Sequence, residues 1–223
     1  MPRLLLLAPL AALVGCASTV SSLPPDSQID VAARYRQSDL SDAALAVVVG
    51  AVAVSDDGVA THVGGAPGAA EATYASFFAE QLPVAFRTAR IGEVHVVEPP
   101  AYDRAGDGPR PAPGVRLDVG GFVPDLVLFL DTLQVDRATY WHESMTPSGP
   151  NGTMMMTRSK SEALRLDTDV VLWDNEAGAE VAAGRLEAER TLPPVGRSRD
   201  HYEDAVREFV EQLARFTPIE LRE

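Results

Sequence analysis

The sequence predicts an α+β domain: a mixed, mostly antiparallel sheet in the order β-α-β-β-β-β-α, with two helices packed on one face. Three observations predict it. Residues 43–54 form an unbroken apolar run, residues 164–172 alternate cleanly between apolar and polar, and residues 69–90 and 201–216 repeat apolar side chains at helical spacing. A strand, helix and strand followed by a three-strand meander and a closing helix is the signature of a layered α+β domain.

The first strong element is the run at 43–54. Leu45, Val47, Val49 and Ala51 alternate there with Ala46, Val48, Gly50 and Val52, so both faces are apolar and the strand is expected inside the sheet. Asp56-Asp57-Gly58 ends it, and residues 64–68 extend a glycine-rich loop without the Lys-Ser/Thr of a phosphate cradle. Tyr74, Phe77, Phe78, Leu82 and Phe86 then share one helical face, with Pro83 expected to kink or end that helix. Residues 93–98 read as a second strand, with His95 on its solvent side between Val94 and Val96. Residues 99–113, rich in Pro, Gly, Asp and Arg, read as a long mobile loop, and 117–123 as a short strand or turn.

The meander begins at Leu126. Leu126, Leu128 and Leu130 hold one phase and Leu133 and Val135 another, which places a β-bulge at Asp131-Thr132. Tyr140 and Trp141 carry the strand to a tip at residues 147–152. The return strand puts Leu164, Leu166, Thr168, Val170 and Leu172 on one face. A turn at 174–178 leads to a third strand over 180–190, apolar at Val181 and Ala183 or, after Gly184, at Leu186 and Ala188. Asp200 is expected to cap the last helix, whose apolar stripe is Tyr202, Ala205, Val206, Phe209, Val210, Leu213 and Phe216.

Composition excludes some functions. The formal net charge is −13, falling to −14 if Arg3 leaves with a leader, and Lys160 is the only lysine. Such a chain repels phosphate backbones, so nucleic acid is not expected as a partner. Hydrophobic residues at 46% and charged residues at 23% are those of a chain that builds a core.

Residues 1–15 have the layout of a secretory signal: one cation, Arg3, then an apolar run over 4–14 closing on small residues. The run is shorter than the ~20 residues a membrane-spanning helix needs. Leu13-Val14-Gly15-Cys16 at its end resembles the lipobox of bacterial lipoproteins. That resemblance implies diacylglyceryl transfer to the Cys16 thiol, cleavage after Gly15 and acylation of the new amino terminus. The alternative is an ordinary cleaved signal with an incidental cysteine. Cys16 is the only cysteine, so no internal disulfide competes for it. Ala17 rather than Asp follows, which by resemblance to the enterobacterial sorting rule implies the outer membrane, with the domain facing the periplasm. Residues 16–30 read as a lipidated tether and 31–223 as the single domain, with 31–40 weakly helical.

Chemistry is sparse. No G-x-S-x-G, H-E-x-x-H or calcium loop is present, and His62, His95, His142 and His201 are scattered. An enzyme, a cofactor and a metal are therefore not expected. The unusual feature is one hairpin that carries Tyr140, Trp141, Met145, Met154, Met155 and Met156, with His142 nearby. Thioether and imidazole suit cuprous copper, but consecutive strand residues point to opposite faces. Flexible methionines also make adaptable docking surfaces. Packing or a strand edge, docking and copper all stay open at this point.

The strand at 44–54, the helix at 72–88, Leu172-Trp173-Asp174 before Gly178 and the terminal helix resemble, as a pattern, a group of envelope proteins. These are curli-secretion lipoproteins, TolB amino-terminal domains, activator lipoproteins of penicillin-binding proteins and auxiliary lipoproteins of lipid-transport ABC systems. The resemblance implies a lipid-anchored, non-enzymatic accessory or assembly factor that binds another envelope protein, with the hairpin over 140–156 as the contact. Two alternatives are a small-ligand or lipid-binding module, with its ligand between helices and sheet, and a copper-handling lipoprotein.

Overall fold

The structure is a computed structural model that describes residues 27–55, 57–64, 68–106, 108–119, 121–148 and 153–219. The leader, Cys16 and the tether up to residue 26 lie outside the described residues, as does the hairpin tip at 149–152. The strands are β1 (Gln28–Val31), β2 (Leu45–Val54), β3 (Val94–Val97), β4 (Leu126–Ser148), β5 (Thr153–Asp174) and β6 (Ala179–Leu192). They form one sheet in the order β1-β6-β5-β4-β2-β3. β2 runs parallel to both β3 and β4, and the other pairs are antiparallel. The crossover that parallel pairing requires runs through a short helix, α1 (Asp57–His62), and the long α2 (Ala70–Thr88). Helix α3 (Arg199–Phe216) closes the chain.

The main core lies between the sheet and the two long helices. Leu45, Val47, Leu128, Leu130, Leu133, Leu164, Leu166 and Leu186 meet Phe78, Leu82 and Phe86 of α2 and Val206, Phe209 and Leu213 of α3. The Phe78 and Phe209 rings meet edge to face with centroids 5.5 Å apart, a favoured aromatic geometry. The expected α+β architecture, with both long helices on one face, is the one observed.

Several local expectations are corrected. Residues 28–30, read as tether, belong to β1, whose Ile29 and Val31 pack on the core. Gly184 makes this pairing possible, since a Cβ there would lie 2.0 Å from the Gln28 carbonyl oxygen. The weak helix at 31–40 is a single 3-10 turn, Ala33–Tyr35, and part of the loop after β2 folds into α1. Pro83 sits inside α2 without ending it, because Leu82 and Phe86 bury completely on either side and outweigh a cost of about 3 kcal/mol. Ser198 rather than Asp200 opens α3, its backbone N–H donating to His201 Nδ1 at 3.2 Å. In β6 the register shifts opposite Leu172 and Trp173, so Ala182 joins Val181 in the main core and Ala183 faces away from it.

The largest correction concerns residues 99–123. They pack over the second face of the sheet, where Tyr102, Val115, Leu117, Val119 and Phe122 meet Ala46, Val48, Val127, Phe129, Val171 and Trp173. Asn175 secures them: its Oδ1 accepts from the Leu117 N–H at 2.6 Å, and its Nδ2 donates to the Leu117 and Pro124 carbonyls, both at 2.9 Å. Trp173 Nε1 adds a bond to the Val115 carbonyl at 3.1 Å. The Trp173 and Gly178 that sequence singled out are thus structural, since a Cβ on Gly178 would meet Gly114 Cα at 2.6 Å.

Candidate functional site

The hairpin of β4 and β5 outruns every neighbour. β2 last pairs with β4 at Val135, and β6 last pairs with β5 at Glu162. Beyond these points nine cross-strand pairs, Tyr140↔Ser161 to Ser148↔Thr153, continue as a two-stranded arm with no further strand on either edge among the described residues. At ~3.4 Å per residue the arm is about 27 Å long. A bare two-stranded ribbon is marginal by itself in water, and free edges invite a further strand.

Register and alternation assign its side chains. Trp141 and Lys160, Glu143 and Arg158, and Met145 and Met156 are opposed on the side that carries the helices, because Leu133, Val135, Leu164 and Leu166 hold that phase in the core. Met154 shares this side. His142, Ser144, Thr157, Ser159, Ser161 and Met155 point to the other. Trp141 and the four methionines are each between 56% and 64% exposed, so the packing reading fails for them. His142 donates to or accepts from Ser161 Oγ at 2.7 Å on the far face and does not converge with Met145, Met154 and Met156. Arg158 lies over the Trp141 ring at 4.5 Å and pairs with Glu143 at 3.8 Å, which fixes the indole on the helix side by a cation–π contact.

The root of the arm is clamped. Glu162 accepts from Lys160 at 2.5 Å and from Arg197 just before α3, and it pairs ionically with Arg137 at 3.7 Å. The Lys160 bond holds the Glu162 carboxyl below the usual carboxylate range. On the other face Tyr140 donates to Glu189, and burial together with that bond pushes the phenol up to about 12.

A polar cleft of about 530 Å³ opens on the second face over Asp131, Asp136, Arg165, Asp167, Asp169 and Arg185. Arg185 Nε donates to Asp167 Oδ1 at 2.7 Å, Arg165 reaches Asp167 at 3.4 Å and Glu187 at 3.4 Å, and Asp131, Asp136 and Asp169 line the rim. The guanidiniums are committed to internal carboxylates and no nucleophile–base pair is assembled there. Among the described residues no group of three or more His, Cys, Asp or Glu is placed to hold a metal ion, and no helix is long and apolar enough to cross a membrane.

The named hairpin residues therefore come together on the arm: Trp141 and the four methionines are exposed, Tyr140 is half-buried at the root against Glu189, and Tyr140, His142 and Met155 lie on its far side. Sequence reading missed Arg158 and Glu162, although the strict alternation of Ser and Thr over 157–161 marks which residues share a face. No family profile matches the chain, and no curated protein matches it. Among solved structures it is similar to the PelC dodecamer from Paraburkholderia phytofirmans, at 15% identity over 88% of this chain and 99% of that one with a TM-score of 0.33. A variant of that dodecamer gives 14% identity, 88% and 98% coverage and a TM-score of 0.35. A neuraminyllactose-binding hemagglutinin homolog from Helicobacter pylori gives 11% identity, 78% and 82% coverage and a TM-score of 0.32. Likeness at this level fixes neither family nor activity.

Proposed function

We propose that the chain is a lipid-anchored, non-enzymatic accessory or assembly factor of the bacterial envelope, held at the outer membrane through Cys16. It faces the periplasm and docks on another envelope protein through the arm. The observation that supports this most is the bare arm itself, with an apolar stripe on the helix side and two free edges. Free edges accept a partner strand by main-chain hydrogen bonds, and exposed aromatic and thioether side chains supply the anchor. Tyr140, Trp141, Met145, Met154, Met155 and Met156 are the candidate contacts.

Crosslinking followed by pull-down from membranes tests the reading. The native chain should capture a defined envelope protein, a Trp141→Ser variant should lose it while keeping its thermal unfolding midpoint, and Cys16→Ser should lose membrane attachment. Equal capture by the native and Trp141→Ser chains, with Arg158→Ser also without effect, would remove the arm from the contact.

A further inference from the structure

We propose that the methionine-bearing end of the arm seats in the interfacial layer of the bilayer to which the chain is anchored, which narrows the protein contact proposed above to Tyr140 and Trp141 at the root of the arm. This rests on the acylation of Cys16 proposed above.

Charge carries the first part of the argument. In a chain with 32 acidic and 19 basic side chains, residues 144–157 contain no ionisable group. They are bounded by Glu143 and Arg158, which pair with one another. The end of the arm enters a lipid interface without stripping water from a charge. The acidic body stands about 14 to 27 Å behind it, roughly two to three Debye lengths at physiological salt, so its repulsion of an anionic surface is screened.

Side-chain placement carries the second part. Every methionine among the described residues lies in this segment, and neither core cluster contains one. Met145, Met154 and Met156 occupy one face and Met155 the other. Nearer the root the second face is Tyr140, His142, Ser159 and Ser161. A protein groove covers one face of a ribbon. Apolar side chains on both faces suit a fluid apolar surround, and the flexible thioether suits it best.

Chain length carries the third part. β1 enters beside β6 with Ser27 bonded to Glu187, so the chain arrives from the end of the sheet where the arm departs. Eleven Cα-to-Cα steps lead from Cys16 to Ser27 and span at most ~40 Å. From the Asp167–Glu187 row β5 runs fourteen residues outward to Thr153, about 48 Å. An arm directed at the bilayer therefore reaches it even when the tether is taut, with an excess of about 8 Å that matches interfacial depth. The unpaired backbone edges keep the ribbon from going deeper, since hydrocarbon leaves them unsatisfied.

The test uses the acylated chain, its acylation confirmed by intact mass, reconstituted into phosphatidylcholine–phosphatidylglycerol vesicles with no other protein. Trp141→Phe combined with Met155→Trp leaves one tryptophan on the arm's end and the buried Trp173 as an internal reference. Lipids brominated near the headgroup should quench the new tryptophan strongly and blue-shift its emission. Adding Met154→Glu and Met156→Glu should abolish both effects without altering far-UV circular dichroism. Emission that stays water-like and is quenched only by aqueous acrylamide overturns the proposal, as does dominant quenching by bromine at the bilayer centre. An unacylated chain in the mass spectrum counts against the anchor instead, and partner capture is measured separately.

Discussion

Strands β4 and β5 each join two unlike halves. Over residues 126–135 and 164–174 they lie inside the sheet, with the helices on one face and, along part of their length, residues 99–123 on the other. Over 140–148 and 153–161 the same strands continue in unbroken register with both edges uncovered. Side chains alternate in both halves, interrupted only by the shift between Leu130 and Gln134 in the inner one, so periodicity sets which way a side chain points and says nothing of what it meets. Residue type tells the halves apart. Leu, Val and Phe fill the inner half, where fixed neighbours reward a defined rotamer, and Met, Ser and Thr predominate in the outer half, where the methionines are exposed.

The sharpest way to break this contrast is to empty one position in each half of the molecule. Phe209→Ala, opposite the inner strands, should cost about 3–5 kcal/mol in urea unfolding, whereas Met156→Ala should change stability by less than about 0.5 kcal/mol. Similar losses would make the arm part of the core. Next in size, Asn175→Ala removes three buried hydrogen bonds and should cost about 2–3 kcal/mol. The emission of Trp173 should shift to the red as the covering segment loosens.

A pH effect separates the halves further. The hydrogen bond from Arg185 holds the Asp167 carboxyl below the usual carboxylate range, with burial opposing it. Its folded pKa is thus below the unfolded one, so the stabilisation is present above the ordinary carboxylate range and is lost as pH falls through the lowered value. Asp167→Asn should flatten that part of the acid unfolding curve, whereas Met145→Ala should leave it unchanged. The smallest effect is a gain. Tyr74 is fully buried and its hydroxyl has no hydrogen-bond partner among the described residues, so Tyr74→Phe should stabilise by up to about 1 kcal/mol in thermal unfolding.

Long periodic elements were legible in the sequence. β2 is apolar on both faces because it is central, and the bulge expected at Asp131-Thr132 appears as a register shift between Leu130 and Gln134. Gly50 stands beside it, where a Cβ would lie 2.0 Å from the Asp131 carbonyl. What escaped depends on distant partners. β1 offers only Ile29 and Val31 as alternation and exists through its pairing with β6. Residues 99–123 look like a loop because their apolar side chains follow no period, and Asn175 holds them from far along the chain. The hairpin residues were legible as a cluster. That they lie on an arm beyond the sheet was not, because the strand signal of Tyr140 and Trp141 is the same whether or not a neighbouring strand reaches them.

Hydrogen exchange on the purified chain, alone and then bound to envelope membranes, reads the two halves separately. Amides of 153–161 should exchange much faster than those of 164–172 in the isolated chain and become protected on the membranes. Equal protection of the two halves in isolation, or an arm that stays unprotected on the membranes, would contradict the assignment of the arm as the docking element.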